Sequence, residues 1–242
     1  MKKLVRVYKK LIRTSKKRII DWDPKDIKPK IYSGIFSIKT ELIIHPDYNN
    51  GFRMDKKSVI KIIKQFENSL QDEFLFPNIE RLIEKCRLVV NDFLGHDCDI
   101  EKRARFYLSF KKKILNLSEF EGKNIGACAE RAAIAHQCLN VFKASCPDMK
   151  YSIHYAITRS NGMRHAVILF IPLLEELSNV LLWDITNDVF CINNFGMLTR
   201  TVALYELDEQ EYSDFLKGKV LCPKHIYEKK GRKVIEKLSY GG

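Results

Sequence analysis

Residues 122–140 read GKNIGACAERAAIAHQCLN. Gly122 and Gly126 punctuate a loop that ends at Cys128, and the sequence then turns helical and alanine-rich. Alanine is the strongest helix former, and Ala129, Ala132, Ala133 and Ala135 also let the helix backbone approach a neighbour closely. A cysteine in a first helical turn faces the positive end of the macrodipole, a setting suited to a nucleophilic sulfur. Two later segments supply the partners that such a sulfur needs. His165 stands in RHAVILF and Asp184 in LLWDITN, giving the chain order Cys, His, Asp.

Beyond this helix the apolar period changes from 3.6 to 2. Residues 151–159 and 163–171 read as strands, with Asn161-Gly162 between them. Asn-Gly favours a two-residue hairpin loop because both residues tolerate positive φ. Such a loop pairs Ser160 with Met163 and therefore Thr158 with His165. Pro172 closes the second strand, and residues 180–185 make a third. If the third runs back with Ile171 near Val180, Asp184 falls on the face of His165, within about two residues of it. His154 shares that face but lies about 13 Å along the strand, a weak competitor for the same role.

Upstream, three helices are expected. The first begins after Asp55 with Val59, Ile62, Ile63, Phe66 and Leu70 on one face. The second begins after Asn78 and stops at Gly95, and the third runs from near Asp99 to about Leu115. Residues 31–45 read as one or two strands ended by the turn-rich HPDYNNG, and residues 2–20 as a basic amphipathic helix. Residues 189–207 add another strand or two, and a short helix is expected around residues 229–238. The implied organisation is a basic amphipathic segment with linker (1–30), a mostly helical subdomain (31–117), a catalytic core (118–216) and a basic tail (217–242).

The chain has 242 residues, 45% apolar and 30% charged, ordinary values for a soluble globular protein. Its longest apolar run, residues 166–174, is about half of what a membrane span requires. The basic N-terminus carries neither an apolar core nor a small-residue cleavage site, so no Sec signal is read and a cytoplasmic location is expected. The net charge of +12 is concentrated at the ends: +9 in residues 1–30, +6 in residues 217–242 and −3 between them. Such ends suit an anionic membrane surface or an acidic partner, and equally suit plain solvation. No specific nucleic-acid motif is present. The seven cysteines (86, 98, 128, 138, 146, 191, 222) are irregularly spaced, which argues against a disulfide framework and for a reducing compartment. His96 and Cys98 have no second close ligand pair, so neither a metal nor another cofactor is expected. Cys138, Cys146 and Cys191 read as small buried hydrophobes and His136 as helix packing. Glu130 and Arg131 read either as a structural ion pair or as substrate contacts.

Gly-x-Cys-x-Glu at a helix start, His-Ala leading an apolar strand, and Trp-Asp-x-Thr after the next strand resemble the transglutaminase-like branch of the papain-type fold. The spacings of 37 and 19 residues fit that branch, and the resemblance covers residues 118–187. It implies an α+β fold in which a helix carrying the cysteine packs on an antiparallel sheet carrying histidine and aspartate. It further implies Cys128 as nucleophile, His165 as general base and acid, and Asp184 as the orienting carboxylate. The backbone N–H of Cys128 would serve one oxyanion position, and Asn124, the amide side chain just upstream, the second. The reaction would be hydrolysis or transfer at a carboxamide of a protein or peptide: glutamine deamidation, proteolysis or transamidation. The compact size is similar to bacterial members, including effectors that deamidate a host glutamine, so the cytoplasm expected is that of the producing cell or of an injected host cell.

Two other readings stay open. Arylamine N-acetyltransferases share the triad order, but their paired glycines before the cysteine and their Asp-Val-Gly-Phe are missing. The fold could instead serve as a non-catalytic binding module whose basic termini engage an anionic partner or membrane.

Overall fold

The computed structural model of the protein describes residues 19–21, 28–33, 43–47, 50–70, 79–110, 114–146, 148–160, 163–174, 179–187, 189–192, 198–219, 232–233 and 239–241. The architecture is α+β, divided into two units. The first unit comprises Met1–Asp23 and Gly34–Met149, and the second Pro24–Ser33 and Lys150–Gly242. The division at Met149 falls inside the 118–216 stretch.

Strands β1 (Ile19–Asp21) and β2 (Lys30–Ser33) open the chain, β1 in the first unit and β2 in the second. β1 lies parallel to β3 (Ile43–Asp47), pairing Ile19 with Ile43 and Ile20 with Ile44. Ile19 and Ile20, the last two residues of the helix expected over 2–20, are β-branched and take strand positions instead. Residues 2–18 of that expectation lie outside the described residues. β3 continues through His45 and Pro46, and Asp47 pairs with Asn50 at the start of β4 (Asn50–Arg53). His45, Pro46, Asp47, Asn50 and Gly51 of HPDYNNG are thus strand where turn was expected, and β4 is a strand that the sequence reading did not include.

Helix α1 (Lys56–Ser69) starts where Asp55 caps it, its carboxylate accepting the Ser58 N–H at 3.1 Å. Val59, Ile62, Ile63 and Phe66 are buried, as their spacing predicts. Helix α2 (Ile79–Leu94) ends at Gly95, which takes φ +92°. Helix α3 (Ile100–Ser109), capped by Asp99, is shorter than expected. Phe110 is extended, and residues 114–116 form β5 (Ile114–Asn116), parallel to β4. Leu115 stands opposite Phe52, both fully buried, whereas an extended α3 would have carried Lys111, Lys112 and Lys113 with no apolar stripe to bury. A 3-10 turn (Leu117–Phe120) leads to the loop before helix α4 (Cys128–Ser145). Helices α1, α2 and α4 pack on one another. Every residue of α4 from 129 to 142 is buried, so this helix has no solvent face.

In the second unit, β6 (Tyr151–Ser160) and β7 (Met163–Pro172) pair antiparallel with Ser160 opposite Met163 and Thr158 opposite His165, the expected register. The Asn161-Gly162 loop itself lies outside the described residues. β8 (Val180–Trp183) returns with Leu182 opposite Leu169. It ends two residues before the expected Ile185, because Asp184 turns the chain there. Three strands follow where one or two were expected: β9 (Val189–Ile192), β10 (Leu198–Thr201) and β11 (Leu204–Leu207). Helix α5 (Glu209–Leu216) was not foreseen, although Asp208 and Glu211 cap each other's N–H groups at its start. Residues 232 and 233, inside the expected 229–238 helix, form β12 (Arg232–Lys233) beside β11, and β13 (Ser239–Gly241) closes the chain. The rest of that expected helix lies outside the described residues.

The main sheet has the order β12-β11-β8-β7-β6-β2 and is antiparallel throughout; β13-β10-β9 form a smaller one. On one face Ala156, Val167, Leu169, Leu182, Ala203 and Tyr205 make a core closed by Phe215 of α5. Ile153, Ile157, Ala166, Ile168, Phe170 and Trp183 are buried on the other face. β7 is therefore covered on both sides, which accounts for its unbroken apolar run. Each such leucine or phenylalanine contributes about 1.5–3 kcal/mol.

Candidate active site

Four residues were singled out for chemistry, two in each unit. Cys128 is the first residue of α4 and is partly exposed. Ala127 before it has no side-chain acceptor, so the helix is capped by Glu130, whose Oε2 accepts the Ala127 N–H at 2.9 Å. Glu130 is fully buried and holds the Arg103 guanidinium with both oxygens, at 2.9 and 3.0 Å. Burial opposes the Arg103 charge, but Glu130 and Tyr107 outweigh it and the net shift of its pKa is upward. The same guanidinium donates to the Ile125 carbonyl at 2.6 Å and stacks over the Tyr107 ring.

Arg131 fastens the loop from the other side. Its Nε donates to Gly126, its Nη1 to Asn91 Oδ1 and its Nη2 to the Gly95 carbonyl at 2.6 Å. Glu130 and Arg131, left open between ion pair and substrate contact, are thus ties between the cysteine loop and helices α2 and α3. Gly126 follows from the same packing. A Cβ on Gly126 would come within 2.6 Å of Leu94 Cδ1. Asn124 takes φ +56°, bonds through its N–H to Leu94 and through its carbonyl to Asp99, and rests its carboxamide oxygen over the Cα of Gly95.

His165 and Asp184 come from neighbouring strands of the second unit. His165 lies on β7 and Asp184 just past the end of β8, and the sheet brings them together: His165 Nε2 donates to Asp184 Oδ2 at 2.6 Å. Asp184 is fully buried, and its carboxylate is saturated. Oδ1 accepts the backbone N–H groups of Thr186 (3.0 Å) and Asn187 (3.2 Å), and Oδ2 also accepts Asn187 Nδ2 at 2.6 Å. The backbone N–H of Asp184 donates to the Ala203 carbonyl on the neighbouring strand segment. An ionised carboxylate held this way favours the imidazole tautomer with its proton on Nε2.

His154 bonds to Ser152 through Nε2, away from this pair. His136 and Cys138 are fully buried along α4, Cys146 is partly exposed, and the side chain of Cys191 lies outside the described residues. Among the described residues no group of His, Cys, Asp or Glu is placed to hold a metal ion, and no helix is long and apolar enough to cross a membrane.

Three participants were not foreseen. Asn187 was visible only as the end of an Asp-x-Thr-Asn turn, a common way for an aspartate side chain to catch the following backbone. Arg103 gave no local signal, since its partner is 27 residues away. Cys98 precedes the cap of α3. Burial pushes its thiol pKa up, and the charges it feels include Arg103, Glu130, Arg131 and Cys128.

Comparison of the chain with protein-family models, curated proteins and solved structures finds no match.

Proposed function

We propose that the protein is a cysteine-nucleophile hydrolase of the transglutaminase-like, papain-type kind, acting on a carboxamide of a protein or peptide. The observation that carries the reading is the His165–Asp184 pair, with the imidazole held through Nε2 by a saturated, fully buried carboxylate. A bland core histidine needs no such arrangement. A second support is Cys128 in the first turn of a helix whose loop is tied down on both sides.

In the proposed reaction His165 Nδ1 takes the proton of the Cys128 thiol. The sulfur attacks the carboxamide carbon, and the carbonyl electron pair moves onto oxygen. The backbone N–H of Cys128, in a helical turn that lacks intrahelical acceptors, stabilises that oxyanion, with Asn124 Nδ2 as the proposed second donor. The tetrahedral adduct collapses, the amine or ammonia leaves with the proton from His165, and a thioester remains. Water then attacks the thioester with its proton going to His165, and the acid and the thiol are released. An amine in place of water would give transamidation.

The test has two parts. Iodoacetamide at neutral pH should label Cys128 faster than the other six cysteines, and His165→Ala should remove that advantage. Mass spectrometry of candidate proteins incubated with wild type and with Cys128→Ala then distinguishes deamidation, cleavage and cross-linking by their mass changes. Labelling of Cys128 no faster than its neighbours would sink the enzyme reading and leave the binding module in its place.

A further inference from the structure

Resting on the reading above, we infer that Asn187 is a positioning residue for this site: it holds the Asp184 carboxylate so that Oδ2 meets the imidazole of His165. Four donors converge on Asp184. Oδ1 takes the backbone N–H groups of Thr186 and Asn187, and Oδ2 takes His165 Nε2 and Asn187 Nδ2, both at 2.6 Å. An ionised carboxylate offers about four lone-pair positions, so this one has none to spare.

The donors are not equivalent. The two backbone bonds shape a turn that most side chains at position 187 would preserve, and they fix Oδ1 alone. Besides the imidazole itself, Asn187 Nδ2 is the one side-chain donor to Oδ2 among the described residues. Without it only the two Oδ1 bonds, at 3.0 and 3.2 Å, resist rotation about Cβ–Cγ, and a rotation that lengthens them takes Oδ2 out of the imidazole plane. The effect would appear at His165, as a weaker preference for the tautomer with its proton on Nε2. A residue serving the turn alone would leave that tautomer unchanged, and this difference makes the role testable.

The experiment uses the full chain with nitrogen-15 in its histidines, as wild type, Asn187→Ala and Asn187→Asp. Asn187→Asp keeps the size and replaces the donor by an acceptor, so it answers the question even if the alanine variant fails to fold. Ring-nitrogen shifts should give the Nε2–H tautomer alone for His165 in wild type and a mixture in both variants. Iodoacetamide labelling of Cys128 should slow several-fold in the variants, without loss of the unfolding transition. Identical His165 shifts in all three proteins would overturn the proposal. The nitrogen shifts do not involve Cys128, so the two readings can fail separately. A mixed tautomer with labelling indifferent to both Asn187→Ala and His165→Ala would uphold the positioning of the imidazole and remove the cysteine chemistry.

Discussion

The Arg103 guanidinium closes on both carboxylate oxygens of Glu130, two residues beyond Cys128 and fully buried. Breaking a buried pair from one side leaves an uncompensated charge. Arg103→Met should therefore cost about 3–5 kcal/mol of unfolding free energy. The double variant Arg103→Met with Glu130→Gln should cost clearly less than the sum of the two single changes, because the second change removes the stranded charge. Urea titrations of the four proteins measure both quantities.

Gly126 lies against Leu94, with too little room for a methyl group. Gly126→Ala should destabilise by about 1–3 kcal/mol through overpacking. It should also shift the Cys128 backbone, so labelling of Cys128 should slow even in the folded fraction. Gly95→Ala should be worse, because its φ of +92° strains any other residue and its Cβ would strike Asn124. Thermal unfolding ranks the two.

Burial pushes the Cys86 thiol pKa well up, with Cys138 adding to the effect, and pushes that of Cys98 up as well. The unfolded chain gives up thiol protons near the ordinary value of about 8.5, while the folded protein keeps them. The folded state then binds more protons than the unfolded one, so stability should fall as pH rises above that value. Cys86→Ala should flatten this slope in midpoints recorded across pH 8 to 10, although it also removes packing. Labelling of Cys98 should keep accelerating beyond the pH at which an ordinary thiol levels off.

Glu67 is buried on α1, its Oε1 takes no hydrogen bond among the described residues, and burial raises its carboxyl pKa. A raised carboxyl pKa gives stability that is fully present below the unfolded value and lost as pH climbs through the folded one. At neutral pH the charge is therefore a liability. Glu67→Gln should raise the melting temperature at pH 7 by a few degrees, on the order of a 1 kcal/mol gain. The gain should disappear below pH 4, and an equal gain at every pH would refute the linkage.

The pairing of His165 with Asp184 was legible in the sequence because it rests on short-range rules. A two-residue Asn-Gly loop sets the β6–β7 register, alternation sets the face, and Pro172 limits where β8 can begin. The helix beginning at Cys128 was legible for a similar reason, since the glycine-punctuated loop and the alanines that follow it mark where the helix starts. What stayed hidden depends on distant partners. Arg103 meets Glu130 only after α3 has folded against the loop, and β5 is a strand because Leu115 finds Phe52 some sixty residues away. The expected α3 ran on to about Leu115, and the pairing of Leu115 with Phe52 is what that local reading could not contain. Asn187 and α5 were missed for another reason: their signals were local and present but were not weighed.

Strand β2 forms one border of the main sheet, lying along ten-residue β6 although more than a hundred residues of chain separate the two. Its removal would leave the outer rim of β6 with bare amide and carbonyl groups along residues 154–157, a template for another chain to join. A fragment beginning after Ser33 would retain Cys128, His165 and Asp184 and still be expected to form inclusion bodies. Until residues 151–160 leave the ribosome, β2 has no partner, and the emerging sheet acquires its guard from a segment synthesised long before it.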